Sequence, residues 1–220
     1  MYQFTIKANE SFRWWDRKEK VCCLETDTSA FYHSEYCGGG NWKRNGTIEN
    51  LICTLKNDRT PYLDRVLSKT CSRLEEILSE DLPQISRIYN TRFTVCVVPR
   101  AKHENHYAPN QLLFRNTVSN YVRRTNMFED GTHNIIRHTD TKTTHSARSG
   151  NGGNGSMPYK GITTNTCNIS NIQGKNILLI DDLYTKHICI DEDAIQALYD
   201  KGARSVVFYS VGKTVSMSNY

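Results

Sequence analysis

Asp181 and Asp182 stand side by side at the end of Asn176–Ile180, the run NILLI. Two adjacent carboxylates can accept hydrogen bonds from sugar hydroxyls and help hold a metal-bound phosphate. They can equally cap the turn that follows, one bonded to backbone and one solvated. The position of the pair bears on which reading applies. The apolar run is too short for a helix and is bounded by Gly174 and the two acids, so it reads as a buried parallel strand. A helix then begins near Asp191 or Glu192, with Ala194, Ile195, Ala197 and Leu198 along one side. Lys201 sits in its last turn and Gly202 just beyond it, a stop signal. Arg204–Val211 is the next strand. Open parallel sheets take ligands at the carboxyl ends of their strands, and the acidic pair is at such an end.

Other elements must bring partners to that pair. Phe93–Val98, FTVCVV, is a second buried strand, and it ends at Pro99-Arg100-Ala101-Lys102. Arg100 and Lys102 beside exposed amides suit an anion, or are solvated cations on a surface turn. A helix over 109–124 carries Leu112, Leu113, Val118, Tyr121 and Val122, and the crossover is expected to return as a strand at Asn134–Arg137. From 138 to 162 Gly, Ser, Asn and Thr dominate, and loops this long inside a compact domain are usually lids or insertions. Upstream, Ile48, Leu51, Ile52 and Leu55 recur at helical spacing within 46–57. A longer helix is expected from Thr60 to Glu80, with Pro61 in its first turn and Leu63, Val66, Leu67, Leu74, Ile77 and Leu78 as its stripe.

The run ILLIDDLYT resembles the strand-end signature of type I phosphoribosyltransferases, and the segment NGTIENLICTLKNDRTPYLDRVLSKTCSRL is similar to the region ahead of the core in their ComF-type members, where a helix ends in Leu-Lys. The resemblance covers roughly residues 46–215. It implies that Asp181 and Asp182 contact ribose hydroxyls and that the loop Thr185-Lys186-His187-Ile188-Cys189 wraps a phosphate. Thr185 fits the family loop; Lys186, His187 and Cys189 stand where Thr, Gly and Thr are usual. The resemblance also implies that Arg100, Ala101 and Lys102 hold pyrophosphate, and that residues 138–162 form a lid with Arg137, Thr141, Lys142, Thr144, His145 and Arg148. It implies Mg²⁺ on the ribose hydroxyls and pyrophosphate, met by Asp181 and Asp182 directly or indirectly. The expected fold is α/β, Rossmann-like, with a mostly parallel sheet flanked by helices. Residues 1–45 are expected as an N-terminal cap or hood, and 46–220 as the phosphoribosyltransferase-like domain.

Three functions follow from that reading. The first is transfer of a phosphoribosyl group from a phosphoribosyl pyrophosphate donor to an acceptor. The second is a catalytically silent nucleotide-binding regulatory module, which His187 in place of Gly supports. The third is an effector of a bacterial anti-phage system such as a retron, whose partner would be a reverse transcriptase with its RNA–DNA hybrid.

Composition narrows these only partly. The formal net charge of +5 suits a phosphate-rich ligand or nucleic acid. Phe12, Trp14 and Trp15 beside Arg13, Arg17, Lys18 and Lys20 read either as a base-stacking segment or as an apolar anchor with solvated cations. The eight cysteines include no C-x-x-C pair, which favours reduced thiols over a zinc ribbon or disulfide framework. Gly38-Gly39-Gly40 reads as a turn. No apolar run approaches the ~20 residues needed to span a bilayer, and no signal-peptide core opens the chain, so a cytoplasmic location is expected, as a homo-oligomer or complex subunit.

Overall fold

The computed structural model of the chain describes residues 1–13, 19–21, 24–58, 61–144, 152–186 and 188–215. Of the residues singled out above, Trp14, Trp15, Arg17, Lys18, Thr60, His145, Arg148 and His187 lie outside the described residues, as do two of the eight cysteines, Cys22 and Cys23.

The protein is α/β, built on a six-stranded mixed sheet that is mostly parallel. Its strands in space are β1 (Tyr2–Ile6), β4 (Thr28–Tyr36), β10 (Ser205–Thr214), β9 (Asn176–Tyr184), β5 (Thr94–Val97) and β6 (Glu129–Asp130). Only the β1–β4 pair is antiparallel. Two small antiparallel ladders lie outside it: β2 (Ser11–Arg13) with β3 (Glu19–Val21), and β7 (Ile135–Arg137) with β8 (Cys167–Ile169).

Alternation along the central strands explains the three layers. Val95, Val97, Leu178, Ile180, Val207 and Tyr209 meet α1 (Ile48–Lys56), α2 (Asp64–Tyr89) and α3 (Leu113–Arg124) on one face. Cys96, Ile177, Leu179, Val206 and Phe208 meet α5 (Ile190–Asp200) on the other, where Ile135 and Cys167 also pack. A short helix, α4 (Ile162–Thr166), closes this side. Its first amides are held by Asp193 of α5, whose carboxylate accepts from Gly161 N (2.5 Å) and Thr163 N (2.7 Å). A fully buried Asp81 ties α2 to the sheet, accepting from Tyr209 Oη (2.8 Å) and pairing with His33 Nδ1 (2.9 Å).

Within residues 1–45, β1 and the nine-residue β4 join the main sheet, with β4 parallel to β10. Other elements differ from the sequence expectation. The strand Thr28–Tyr36 escaped notice because His33, Ser34 and Glu35 break its apolar pattern, although Phe31, Tyr32 and Tyr36 favour a sheet. The parallel crossover strand beside β5 is Glu129–Asp130, while Ile135–Arg137 pairs with β8 apart from the main sheet. The second helix starts at Asp64 and runs past Glu80 and through Pro83 to Tyr89, because Leu82 and Ile85 continue its buried stripe. No helix among the described residues is long and apolar enough to cross a membrane.

This topology fixes where a crevice must open. From β5 the chain steps outward through α3 to β6, then returns to the opposite side of β5 as β9. The β5–β9 boundary is therefore the switch point, where the loops leaving the two strands diverge.

Candidate functional site

A cleft opens at that boundary. Val97 to Ala101 wall it from the end of β5, and Asp181, Asp182 and Leu183 from β9. Thr185 and Ile188 come from the β9–α5 segment, Asp191 from the first turn of α5, Arg137 from β7, Thr141–Thr144 from the following loop, Lys56 from the end of α1 and Asp58 from just beyond it. Of the sequence-derived site residues, Arg100, Ala101, Arg137, Lys142, Asp181, Asp182, Thr185 and Ile188 thus share one cleft. Lys102, Lys186 and Cys189 are not in its wall. The internal space is about 140 Å³, below the ~300–1,000 Å³ usual for small-molecule sites.

The acid pair is placed by backbone pairing. β9 does not stop at Ile180; Asp181 and Leu183 pair with Ser210 and Gly212 of β10. Asp182 Oδ1 lies 3.0 Å from Lys56 Nζ. Asp181 Oδ1 accepts from the Asp182 amide at 2.8 Å, and its carboxyl interacts electrostatically with that of Asp191. Burial, then the neighbouring Asp182 charge, pushes the Asp181 carboxyl up to about 7, with Lys56 opposing. Burial and the Asp181 charge raise Asp191 well above the carboxylate range. Asp191 is 4% exposed, and its Oδ1 has no hydrogen-bond partner. For Lys56, burial works against the charge, but Asp182 and Asp181 outweigh it and the ammonium titrates higher than usual.

Lys56, Asp58 and Asp191 were not legible as site residues. Lys56 read as a helix-end lysine and Asp191 as a helix start. Only the Leu-Lys ending of α1 was a signal, and nothing in its spacing points at β9.

The two cations after β5 are committed to structure. Arg100 donates from Nη1 to the carbonyls of Lys56 (3.1 Å) and Gln111 (2.6 Å) and from Nη2 to both Asp58 oxygens (2.6 Å each). Its guanidinium also lies 4.2 Å over the Tyr107 ring. Lys102 Nζ donates to Thr141 O (2.8 Å) and Asn154 O (2.5 Å), and its amide to Tyr107 Oη (3.0 Å). Arg137 donates from Nε to Arg100 O at 2.6 Å and from Nη1 to Thr166 Oγ1 at 2.6 Å. Arg100 thus bolts the end of α1 to the β5 loop. Arg100→Ala is expected to lower stability by about 1–3 kcal/mol, read as a shifted urea midpoint, with a matching loss of any ligand affinity.

The described ends of the 138–162 segment are ordered against this loop. Thr141 N donates to Ala101 O (2.7 Å), Lys142 N to Ser156 O (2.9 Å) and Thr143 N to Gly152 O (2.9 Å). Gly155, at φ +113°, packs so closely that a Cβ would sit 2.6 Å from Asp140 O. Lys102 thus straps both ends of the loop.

On the far side, Thr185 Oγ1 and Thr214 Oγ1 are 2.8 Å apart, and Lys186 Nζ pairs with Glu10 at 3.0 Å. Ile188 N closes a turn onto Thr185 O. Cys189 is buried in the left-handed region (φ 61°) immediately before α5.

No protein-family model matches the chain, and no curated protein matches it. The site is therefore read on its own geometry.

That geometry also bears on the metal implied by the resemblance. Lys56 already occupies Asp182, and the Asp182 amide and the Asp191 carboxyl engage Asp181. Among the described residues no group of three His, Cys, Asp or Glu side chains is arranged to hold a metal ion. Direct ligation of Mg²⁺ by Asp182 would have to displace the Lys56 ammonium, so the pair fits an indirect contact, through ligand hydroxyls, better than a direct one.

Proposed function

We propose that the cleft binds a ribosyl phosphate and that the protein is a ComF-like, type I phosphoribosyltransferase-like protein with a Rossmann-like core. In this reading β1 and β4, with the segment between them, form the hood side. The observation that carries it is convergence at one switch point. The loop after β5, Thr141–Thr144, the acidic end of β9 and then Thr185 and Ile188 line one cleft, in the chain order expected of such an enzyme.

The reaction is transfer of the phosphoribosyl group to an acceptor nucleophile. The bond from the anomeric carbon to pyrophosphate breaks, the bond to the acceptor forms, and pyrophosphate departs with the bonding electrons. Asp181 and Asp182 would orient the ribose and balance positive charge developing at the anomeric carbon. Amides of Arg100 and Ala101 would face the pyrophosphate, and closure of Thr141–Thr144 would exclude water. Positioning and electrostatics supply the rate, with no covalent enzyme intermediate.

A second reading, a silent nucleotide-binding module, is favoured by one observation. Arg100 and Lys102, the cations placed to stabilise departing pyrophosphate, are held in internal bonds. Calorimetric titration with phosphoribosyl pyrophosphate, followed by a pyrophosphate-release assay over a panel of nucleobase and amine acceptors, tests both. Saturable binding competed by ribose 5-phosphate is expected. Binding without release against every acceptor selects the silent module, and no binding removes both readings.

A further inference from the structure

Asp58 puts a carboxylate on the cleft wall, and three hydrogen bonds converge on it. Arg100 Nη2 lies 2.6 Å from each of its oxygens, and Gln111 Nε2 donates to Oδ1 at 3.2 Å. The donors come from two elements, the loop after β5 and the single turn Pro109–Gln111. Both are held in place without Asp58. Arg100 has its Nη1 bonds to the carbonyls of Lys56 and Gln111 and its stack on the Tyr107 ring. The Gln111 amide is oriented through Oε1, which accepts from Ala108 N at 3.0 Å. A planar fork and an amide fixed in this way suit a phosphate oxygen as well as a carboxylate. Asp58 is the more exposed partner of the ion pair, 39% against 24%. The backbone before it is moored elsewhere: Asn57, itself buried, donates from its amide to Cys53 O and accepts Tyr62 N on Oδ1 at 3.0 Å. Rotation of one side chain therefore empties the position, and an ion pair this exposed contributes little to stability.

Resting on the ribosyl phosphate reading, we propose that Arg100 Nη2 and Gln111 Nε2 form an anion seat for the pyrophosphate end of the ligand, and that Asp58 fills this seat as an internal stand-in until the ligand displaces it. The bonds of Nη1 keep the guanidinium aimed while Nη2 exchanges one oxyanion for another. The resting cleft is thus self-occupied. Its apparent affinity for pyrophosphate is lowered by the fraction of molecules in which Asp58 still holds the seat.

The test uses the full chain, titrated calorimetrically with inorganic pyrophosphate and, separately, with ribose 5-phosphate at one fixed Mg²⁺ concentration. Asp58→Asn keeps the size of the side chain and removes its charge. It is expected to tighten pyrophosphate binding by at least ~5-fold, because a charged competitor for the seat is gone. Ribose 5-phosphate, which does not reach the seat, should stay within about two-fold of wild type. Adding Gln111→Ala to Asp58→Asn should take most of the pyrophosphate gain away. The urea midpoint of Asp58→Asn shows that it folds, and it should fall or stay level while pyrophosphate affinity rises. A bridge with a structural role alone would lower both. Pyrophosphate affinity in Asp58→Asn equal to wild type, or weaker, overturns the proposal. So does an equal gain for both probes, which marks a through-space charge effect, and so does absence of pyrophosphate binding in both proteins. Absence of ribose 5-phosphate binding in wild type removes the ribosyl phosphate reading, a distinct outcome.

Discussion

Asparagine at both Asp181 and Asp182 is expected to abolish sugar-phosphate binding, a loss of more than ~100-fold, in a protein whose far-UV circular dichroism is unchanged. Both side chains lie in the cleft wall at the end of a strand whose pairing to β10 is made by backbone groups. An amide of the same size keeps that ladder, so the sheet has no reason to yield. What changes is charge. A neutral amide accepts a sugar hydroxyl more weakly than a carboxylate does, and it leaves the Lys56 ammonium without its 3.0 Å partner. The single variant Asp181→Asn retains the Lys56–Asp182 pair and separates the two effects. It is expected to weaken binding by roughly ten-fold, the cost of one charge-assisted hydrogen bond. Wild-type affinity for ribose 5-phosphate in the double variant would remove the ribosyl phosphate reading.

That experiment addresses residues visible in the sequence, and they were visible for a local reason. Asn176–Ile180 and Phe93–Val98 are uninterrupted apolar runs bounded by polar or turn residues, so burial on both faces is written into them. Their carboxyl ends, Asp181–Asp182 and Arg100–Lys102, are then located automatically. What those side chains touch is not local. Arg100 and Lys102 read as anion-binding cations because their partners lie on α1, the turn at Gln111 and the 138–162 segment, elsewhere in the chain. Lys56 was illegible as a site residue for the same reason, since its meeting with Asp182 exists only after α1 packs across the sheet. Asp191 read as the start of a helix, and it is one. That its carboxyl also faces Asp181 depends on the turn at Cys189. β4 was missed because a parallel strand next to an edge carries polar residues on part of its length, and Ser34 and Glu35 masked the pattern set by Ala30, Phe31 and Tyr32. The small β7–β8 ladder depends on a strand of three residues whose partner, Cys167–Ile169, has no periodicity to read.

The crowding of carboxyls in the cleft makes the stability of the protein depend on pH in a direction opposite to that of ordinary salt-bridged acids. Asp181 titrates near 7 in the folded protein and near ~3.9 once unfolded. Between those values the folded state holds a proton that the unfolded state has released, so stability falls as pH rises from about 4 to about 7 and levels off above. Asp191, also raised, acts in the same sense. Carboxyls held below their usual range, such as Asp130 under its Thr132, Arg123 and Ser119 bonds, act in the opposite sense, but only in acid below about pH 4. Wild type is therefore expected to lose on the order of 2–4 kcal/mol between pH 4.5 and pH 8 through Asp181 and its coupled neighbour. Asp181→Asn removes the titrating group and the charge that raises Asp191, so its stability profile should be flatter across the same range. Urea unfolding of both proteins at half-unit steps measures the difference, and groups common to both cancel in it. The variant should be the more stable of the two at pH 8 and should lose that advantage by pH 4.5. Parallel profiles for the two proteins would mean that Asp181 is solvated and ionised like a surface acid, and the enclosed carboxyl cluster that gives the cleft its chemistry would not exist.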